Sequence, residues 1–174
     1  MSESYKPLPE AAELWELFSY NPLTGNLHWR NGQYKEQVAG TRTTEYVQLV
    51  LKKQQYFGHR LVWAWVTGED PGTLTIDHRD RDPRNNRHGN LRKATMEQQS
   101  HNQTAYKNNG SGYKGVCWHK SMRKWRAQIQ VKGKQYRLGY FTSPEDAHQA
   151  YCAAADRLFG DFAHTGLDTL HLIK

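Results

Sequence analysis

The chain has 174 residues, enough for one ordinary domain or two small ones, and it carries a formal charge of +7 with the basic residues spread along its length. An apolar run of about 18 residues and a signal-peptide pattern are both lacking, which excludes a helical membrane protein and sets the expectation of a soluble, cytoplasmic one without a membrane partner. Two distant cysteines, Cys117 and Cys152, fit neither a disulfide framework nor a zinc knuckle, so no structural zinc is expected.

In chain order, Pro9 to Phe18 predicts a short amphipathic helix with Leu14, Leu17 and Phe18 on one side. Asn21-Pro22-Leu23-Thr24-Gly25 is a turn between Phe18-Ser19-Tyr20 and Leu27-His28-Trp29, which predicts a hairpin. A second hairpin is expected from Tyr46–Leu51 and Gln55–Phe57, with a basic tip at Lys52-Lys53-Gln54 that fits either a phosphate contact or a solvated turn. His59 to Val66 (HRLVWAWV) reads as a buried helix, its histidine a capping or packing residue with the option of recruitment to a site.

From Leu74 to Gln103 the composition changes. Leu74, Thr75 and Ile76 form a short strand running into Asp77-His78, and Arg79 to Asn90 is a loop of Arg, Asp, Asn, Pro and Gly that favours turns and cannot build a core. Leu91 to Ala94 is a second strand, and Thr95 with Gln98 three residues on is a capping box opening a helix with Gln99, His101 and Asn102. The unit is strand, loop, strand, helix. It offers a carboxylate for a hard cation, amide oxygens one or two turns along a helix, and an imidazole able to take a proton from water near neutral pH. That set suits metal-assisted hydrolysis of a phosphodiester. An Asp-His pair equally suits a surface hydrogen-bonded pair, and spacing alone does not decide. Arg79, Arg81, Arg84, Arg87 and Arg92 crowd the same stretch and read as phosphate clamps.

His59-Arg60-Leu61-Val62, Asp77-His78, Asn90-Leu91-Arg92 and Ala94-Thr95, in that order, resemble the HNH endonuclease family, in particular its phage-borne and intron-borne members. The resemblance covers most of residues 18 to 103. It implies a catalytic set of His78 as general base, Asp77 as metal ligand, and Asn90 tying the loop down and orienting the histidine. It also implies a divalent ion, Mg2+ with Mn2+ as the alternative. At the family's second ligand position this chain has Gln99, whose amide oxygen sits on a stem one methylene longer than that of asparagine. Asn102, one turn later, is the other candidate ligand.

Thr104 to Ser111 reads as a polar linker, with Lys107 a candidate phosphate contact. After it Tyr113–Trp118, Trp125–Val131 and Gln135–Phe141 are three short strands. Ala127, Ile129 and Val131 alternate with Arg126, Gln128 and Gln130, and Tyr136 and Leu138 with Gln135 and Arg137, giving an apolar and a polar face. A helix follows, with Ser143 as N-cap, Pro144 first, and Gly160 as stop. Antiparallel sheets routinely show a polar face to water, and an Arg and Gln face also suits base edges. Here YKGV, KWRAQI, LGYF, EDA-x-x-AY and GDFA, from Gly112 to Ala163, resemble the ethylene-response-factor (Apetala-type) DNA-binding domain. That resemblance implies double-stranded DNA as partner, with Lys114, His119, Arg126, Gln128, Gln130, Gln135 and Arg137 as DNA-contacting candidates beside Arg79, Arg92 and Lys107.

The expected fold class is α+β, a ββα-metal (HNH) nuclease domain preceded by a helix and hairpins and followed by a small three-stranded antiparallel sheet packed on one helix. The expected domains are 1–103 with a core at 59–103, a linker at 104–111, a DNA-binding domain at 112–163 and a tail at 164–174. The expected function is DNA endonuclease. The alternative is a regulatory DNA-binding protein with a degenerate HNH centre.

Overall fold

The fold is a computed structural model, described for residues 6–43, 45–101 and 109–165. Asn102 and Lys107 lie outside the described residues. The chain divides into two compact units, Met1–Met96 and Glu97–Lys174.

The first unit opens with α1 (Ala11–Leu17), followed directly by the hairpin of β1 (Phe18–Asn21) and β2 (Asn26–Trp29). The turn between them is built by Asn21. Its side-chain oxygen accepts the Leu23 and Thr24 amides, and its carbonyl accepts the amide of Gly25, which sits at φ 76°. Next comes a three-stranded antiparallel sheet of β3 (Thr41–Arg42), β4 (Val47–Leu51) and β5 (Gln54–Phe57). Two-residue β3 carries too little pattern to be foreseen. Lys52 and Lys53 both take positive φ, 48° and 66°, giving the tight primed turn that suits the right-handed twist of a hairpin.

Helix α2 (Gly58–Thr67) is buried along Gly58, His59, Leu61, Val62 and Ala64, and it ends at left-handed Gly68. Its apolar side meets Leu14, Phe18, Leu27, Leu49 and Ile76 in one core. Two indoles tie the N-terminal elements to it: Trp15 Nε1 donates to the Trp65 carbonyl and Trp65 Nε1 to the Phe18 carbonyl. An antiparallel pair, β6 (Thr75–His78) and β7 (Leu91–Ala94), then leads into α3 (Met96–His101). Leu74 lies outside β6 and the strand runs on through His78. The Asp-His pair therefore closes a strand, where the sequence suggested that it follows one.

In the second unit β8 (Val116–His119), β9 (Lys124–Val131) and β10 (Lys134–Phe141) form a sheet in the order β10-β9-β8, covered by α4 (Pro144–Phe159). β8 starts three residues later than the sequence suggests, because Gly112 and Gly115 take left-handed φ and turn the chain first. Ser143 Oγ accepts the Asp146 amide at 3.1 Å, the expected N-cap. Ala147, Tyr151, Ala154 and Ala155 of α4 are buried against Val116, Ala127 and Ile129 of the sheet. A bulge between Arg137 and Gly139 breaks the alternation in β10, and Tyr136, expected on the apolar face, is half exposed. The architecture is α+β, as expected. Among the described residues no helix is long and apolar enough to cross a membrane.

Candidate active site and nucleic-acid interface

Asp77 and His78 are the last two residues of β6, and both are buried, at 5% and 6% exposure. Successive strand residues face opposite ways, so each has its own neighbourhood. Asp77 pairs in register with Arg92 across the hairpin. Arg92 Nε and Nη2 both donate to Asp77 Oδ2, at 2.8 and 2.7 Å, and only 7% of either side chain is exposed. A charge-assisted fork of this kind fixes the carboxylate and compensates its charge inside the protein. Arg92 was expected to clamp DNA. It is instead an internal group, since its guanidinium is buried and directed at Asp77.

His78 has a different holder from the one expected. Its Nε2 donates to Asn86 Oδ1 at 2.9 Å, and Asn86 is itself buried at 4% exposure. An amide oxygen only accepts, so Nε2 is the donor in this bond. Asn90 does tie the loop down. Its side chain accepts the Asp80 amide at 3.0 Å and donates to Asp80 Oδ1 at 2.8 Å and to the Asn85 carbonyl at 2.9 Å. The side-chain bond to the histidine comes from Asn86, while Asn90 bonds Asp80 and Asn85. Burial raises the Asp80 carboxyl, but the bonds from Asn85, Asn90 and the Asp82 amide, with the nearby His78, outweigh it and hold the group below its ordinary value.

The third buried group is His59, which the sequence left between packing and recruitment. Its ring stacks on Phe57 at 5.4 Å and meets His78 edge-on at 5.2 Å, and its Nδ1 is buried with no partner. Burial, then the neighbouring His78 and Arg60, push its pKa from 6.5 to about 3, so it is a neutral imidazole. Around the loop, Arg79, Arg84 and Arg87 are all exposed, and Arg87 also donates from Nε to the Leu23 carbonyl at 2.6 Å.

Gln99 lies half-buried on α3. Among the described residues no group of three or more His, Cys, Asp or Glu side chains could hold a metal ion. A closed cage is not what a magnesium site requires, because that ion takes one or two carboxylates and fills its octahedron with water and phosphate oxygens. Asp77, oriented by Arg92 in the way that outer partners orient metal ligands, fits that share.

In the second unit the pairing aligns the outward side chains in rows. Cys117, Arg126 and Tyr140 share one, Gln128 and Arg137 a second, Gln130 and Gln135 a third, and His119 and Lys124 a fourth. The sheet thus brings six of the seven C-terminal candidates onto one face. Lys114, in the turn before β8, lies off it. On that face Arg137 is 5.6 Å over the Tyr140 ring, and Arg126 Nη2 points at Cys117 Sγ at 3.3 Å with its Nε buried and unpartnered.

Residues 56–101 match the family described as HNH endonuclease, and residues 111–161 match the AP2 domain. The chain thus has a segment similar to HNH endonucleases followed by a segment similar to AP2 domains. Among curated proteins it is similar to Protein 3.8 of Escherichia phage T7, 38% identical over 78 residues, covering 45% of this chain and 64% of that protein. It is also similar to an uncharacterized HNH endonuclease of Acanthamoeba polyphaga mimivirus, 33% identical over 106 residues, covering 60% of this chain and 54% of the other. The chain thus spans 64% and 54% of the lengths of these two relatives. No solved structure gives a significant match.

Proposed function

We propose that the chain is a divalent-metal-dependent endonuclease of duplex DNA, of the phage or homing type, with the AP2 face of Arg and Gln side chains positioning the duplex for the HNH domain to cut. The observation that carries the reading is the buried pair at the end of β6, a carboxylate oriented by Arg92 beside an imidazole oriented by Asn86. Sheltered polar groups with dedicated holders are what a preorganised site needs, and what a surface Asp-His pair lacks.

His78 accepts the proton of the attacking water at Nδ1, since Nε2 is committed to Asn86. Asp77 would hold the ion, Mg2+ or Mn2+, with Gln99 or Asn102 as further ligands. Such an ion supplies Lewis-acid stabilisation of the developing phosphate charge. Arg79, exposed beside the pair, contacts a phosphate. The products carry 5′-phosphate and 3′-hydroxyl ends.

The test is supercoiled plasmid incubated with the protein in magnesium and in EDTA, with Asp77→Ala and His78→Ala in parallel. Nicked or linear product that needs metal and both side chains is expected. The second reading, a DNA-binding protein with an inactive centre, is favoured by the longer side chain of Gln99 at the family's ligand position. It predicts intact plasmid in either metal with DNA binding retained.

A further inference from the structure

Phe57 occupies a position that local chemistry assigns to another kind of residue. It is the N-cap of α2, at φ −78° and ψ 134°, and its side chain makes no capping hydrogen bond. Ser, Thr, Asp or Asn there would accept an orphan amide of the first turn and steady the helix. The Phe57 ring is instead 42% exposed, on the outward side of the β4–β5 pair, where its cross-strand partner is Gln48. It is nevertheless held in place. Tyr46 meets it edge-on at 5.3 Å and 62°, and His59 stacks on it at 5.4 Å and 12°. His59 in turn touches His78 edge-on at 5.2 Å, so two ring contacts lead from the exposed phenyl to the buried imidazole. With about 3.4 Å between the nucleotides of one strand, that span is no more than about three nucleotides. From Tyr46 to Arg60 the sequence holds no carboxylate, so the segment itself presents nothing that repels a phosphate backbone.

We propose that Phe57 is a nucleobase-stacking residue, with Tyr46 and His59 as its fixed support, and that it receives one unstacked base of the DNA within a few nucleotides of the bond that is cut. The inference rests on the nuclease reading for the place of the cut, and not for the stacking itself. Every base has a π face, so the contact selects a strand that can be locally unstacked, with little regard to sequence. Flexible pyrimidine–purine steps, mismatches and single-stranded stretches meet that requirement at the lowest cost. A ring already fixed on two sides loses little freedom when a base lands on it, so more of the stacking shows as affinity. A Phe57 that served only to pack would need apolar volume alone, and leucine would do as well.

The experiment uses the full chain. In EDTA it is mixed with duplexes, fully paired or with a central mismatch, that carry 5-iodopyrimidine or 8-bromopurine deoxynucleotides. The mixture is irradiated, and the cross-linked peptides are identified by mass spectrometry. A cross-link at Phe57 is expected, stronger in the mismatched duplexes. Plasmid cleavage in magnesium is measured alongside for wild type, Phe57→Leu, Phe57→Ala and Phe57→Trp. Phe57→Leu and Phe57→Ala should lower kcat/KM about 10-fold, chiefly through KM, and Phe57→Trp should stay within about twofold of wild type. A Phe57→Leu protein that cuts within about twofold of wild type overturns the proposal, as does a loss confined to kcat that Phe57→Trp shares. Absence of a cross-link at Phe57 in every substituted DNA overturns it too, whether or not plasmid is cut, and that readout needs no variant to fold. A cross-link at Phe57 with plasmid left intact in magnesium and in manganese removes the nuclease reading alone and leaves the stacking contact standing.

Discussion

Replacing Arg92 by alanine should unfold the first unit far more readily than a change to one guanidinium suggests. Arg92 and Asp77 expose 7% of their side chains, and both N–H bonds fall on one carboxylate oxygen. Deleting the cation leaves a buried carboxylate without the guanidinium that compensates its charge. Breaking a buried pair in this way costs about 3–5 kcal/mol. A unit of this size has about 5–15 kcal/mol in total, so the loss is a large share. With a urea slope of about 2 kcal/mol per molar, the midpoint should fall by roughly 2 M. The measurement is urea unfolding of wild type, Arg92→Ala and the double variant Asp77→Leu with Arg92→Met. The double variant removes both charges and is expected to recover to within about 1 kcal/mol of wild type, because an apolar pair of similar volume replaces a buried ion pair at little cost. A loss below about 1 kcal/mol in Arg92→Ala would put the pair among solvated surface bridges and refute the account of Arg92 given above.

Two further outcomes follow from buried groups. His59 has a folded pKa of about 3 against 6.5 unfolded, so below the unfolded value the unfolded chain takes up a proton that the folded chain refuses. Stability should therefore be intact above about pH 6.5 and fall on acidification, with this residue contributing up to about 1.4 kcal/mol per pH unit, a slope that urea midpoints between about pH 7 and 5 should show missing from His59→Phe. In the second unit Gly115 sits at φ 75° with its open side against the Tyr151 ring, so a methyl there would strike the ring and strain the backbone together. Gly115→Ala should destabilise that unit by several kcal/mol, about 1–2 from the left-handed backbone and about 1–3 from overpacking, read as a lowered melting temperature and lost DNA binding at working temperature.

The elements were legible because their signals are local. Ser143, Pro144 and Gly160 bound α4 by chemistry within the segment, and Asn21 and Gly25 write the first turn into five residues. Arg92 was misread because its role depends on register. Among five arginines in a polar stretch nothing marks it, but pairing β6 with β7 so that His78 meets Leu91 puts Arg92 directly opposite Asp77, and opposite charges in that position attract. Asn86 was missed for a longer-range reason. It shares a loop with Asn85 and Asn90, and only the approach of Gly25 and Tyr20, more than sixty positions earlier, separates the buried amide from the two half-buried ones. His59 was left open because a histidine opening an apolar helix reads as packing until β6 brings His78 against its ring.

The hairpin's place against the Asn86 loop also sets where this gene can be cut and rejoined. An exchange of nuclease cores at residue 56 would pair one protein's Asn86 loop with another's Gly25 turn. The contacts between them are steric and directional, with no tolerance for a side chain at Gly25 or a shifted Tyr20 hydroxyl. Viable recombinants must therefore inherit residues 18–101 as one block, while the AP2 domain, matched separately from residue 111, is the segment that shuffling can replace.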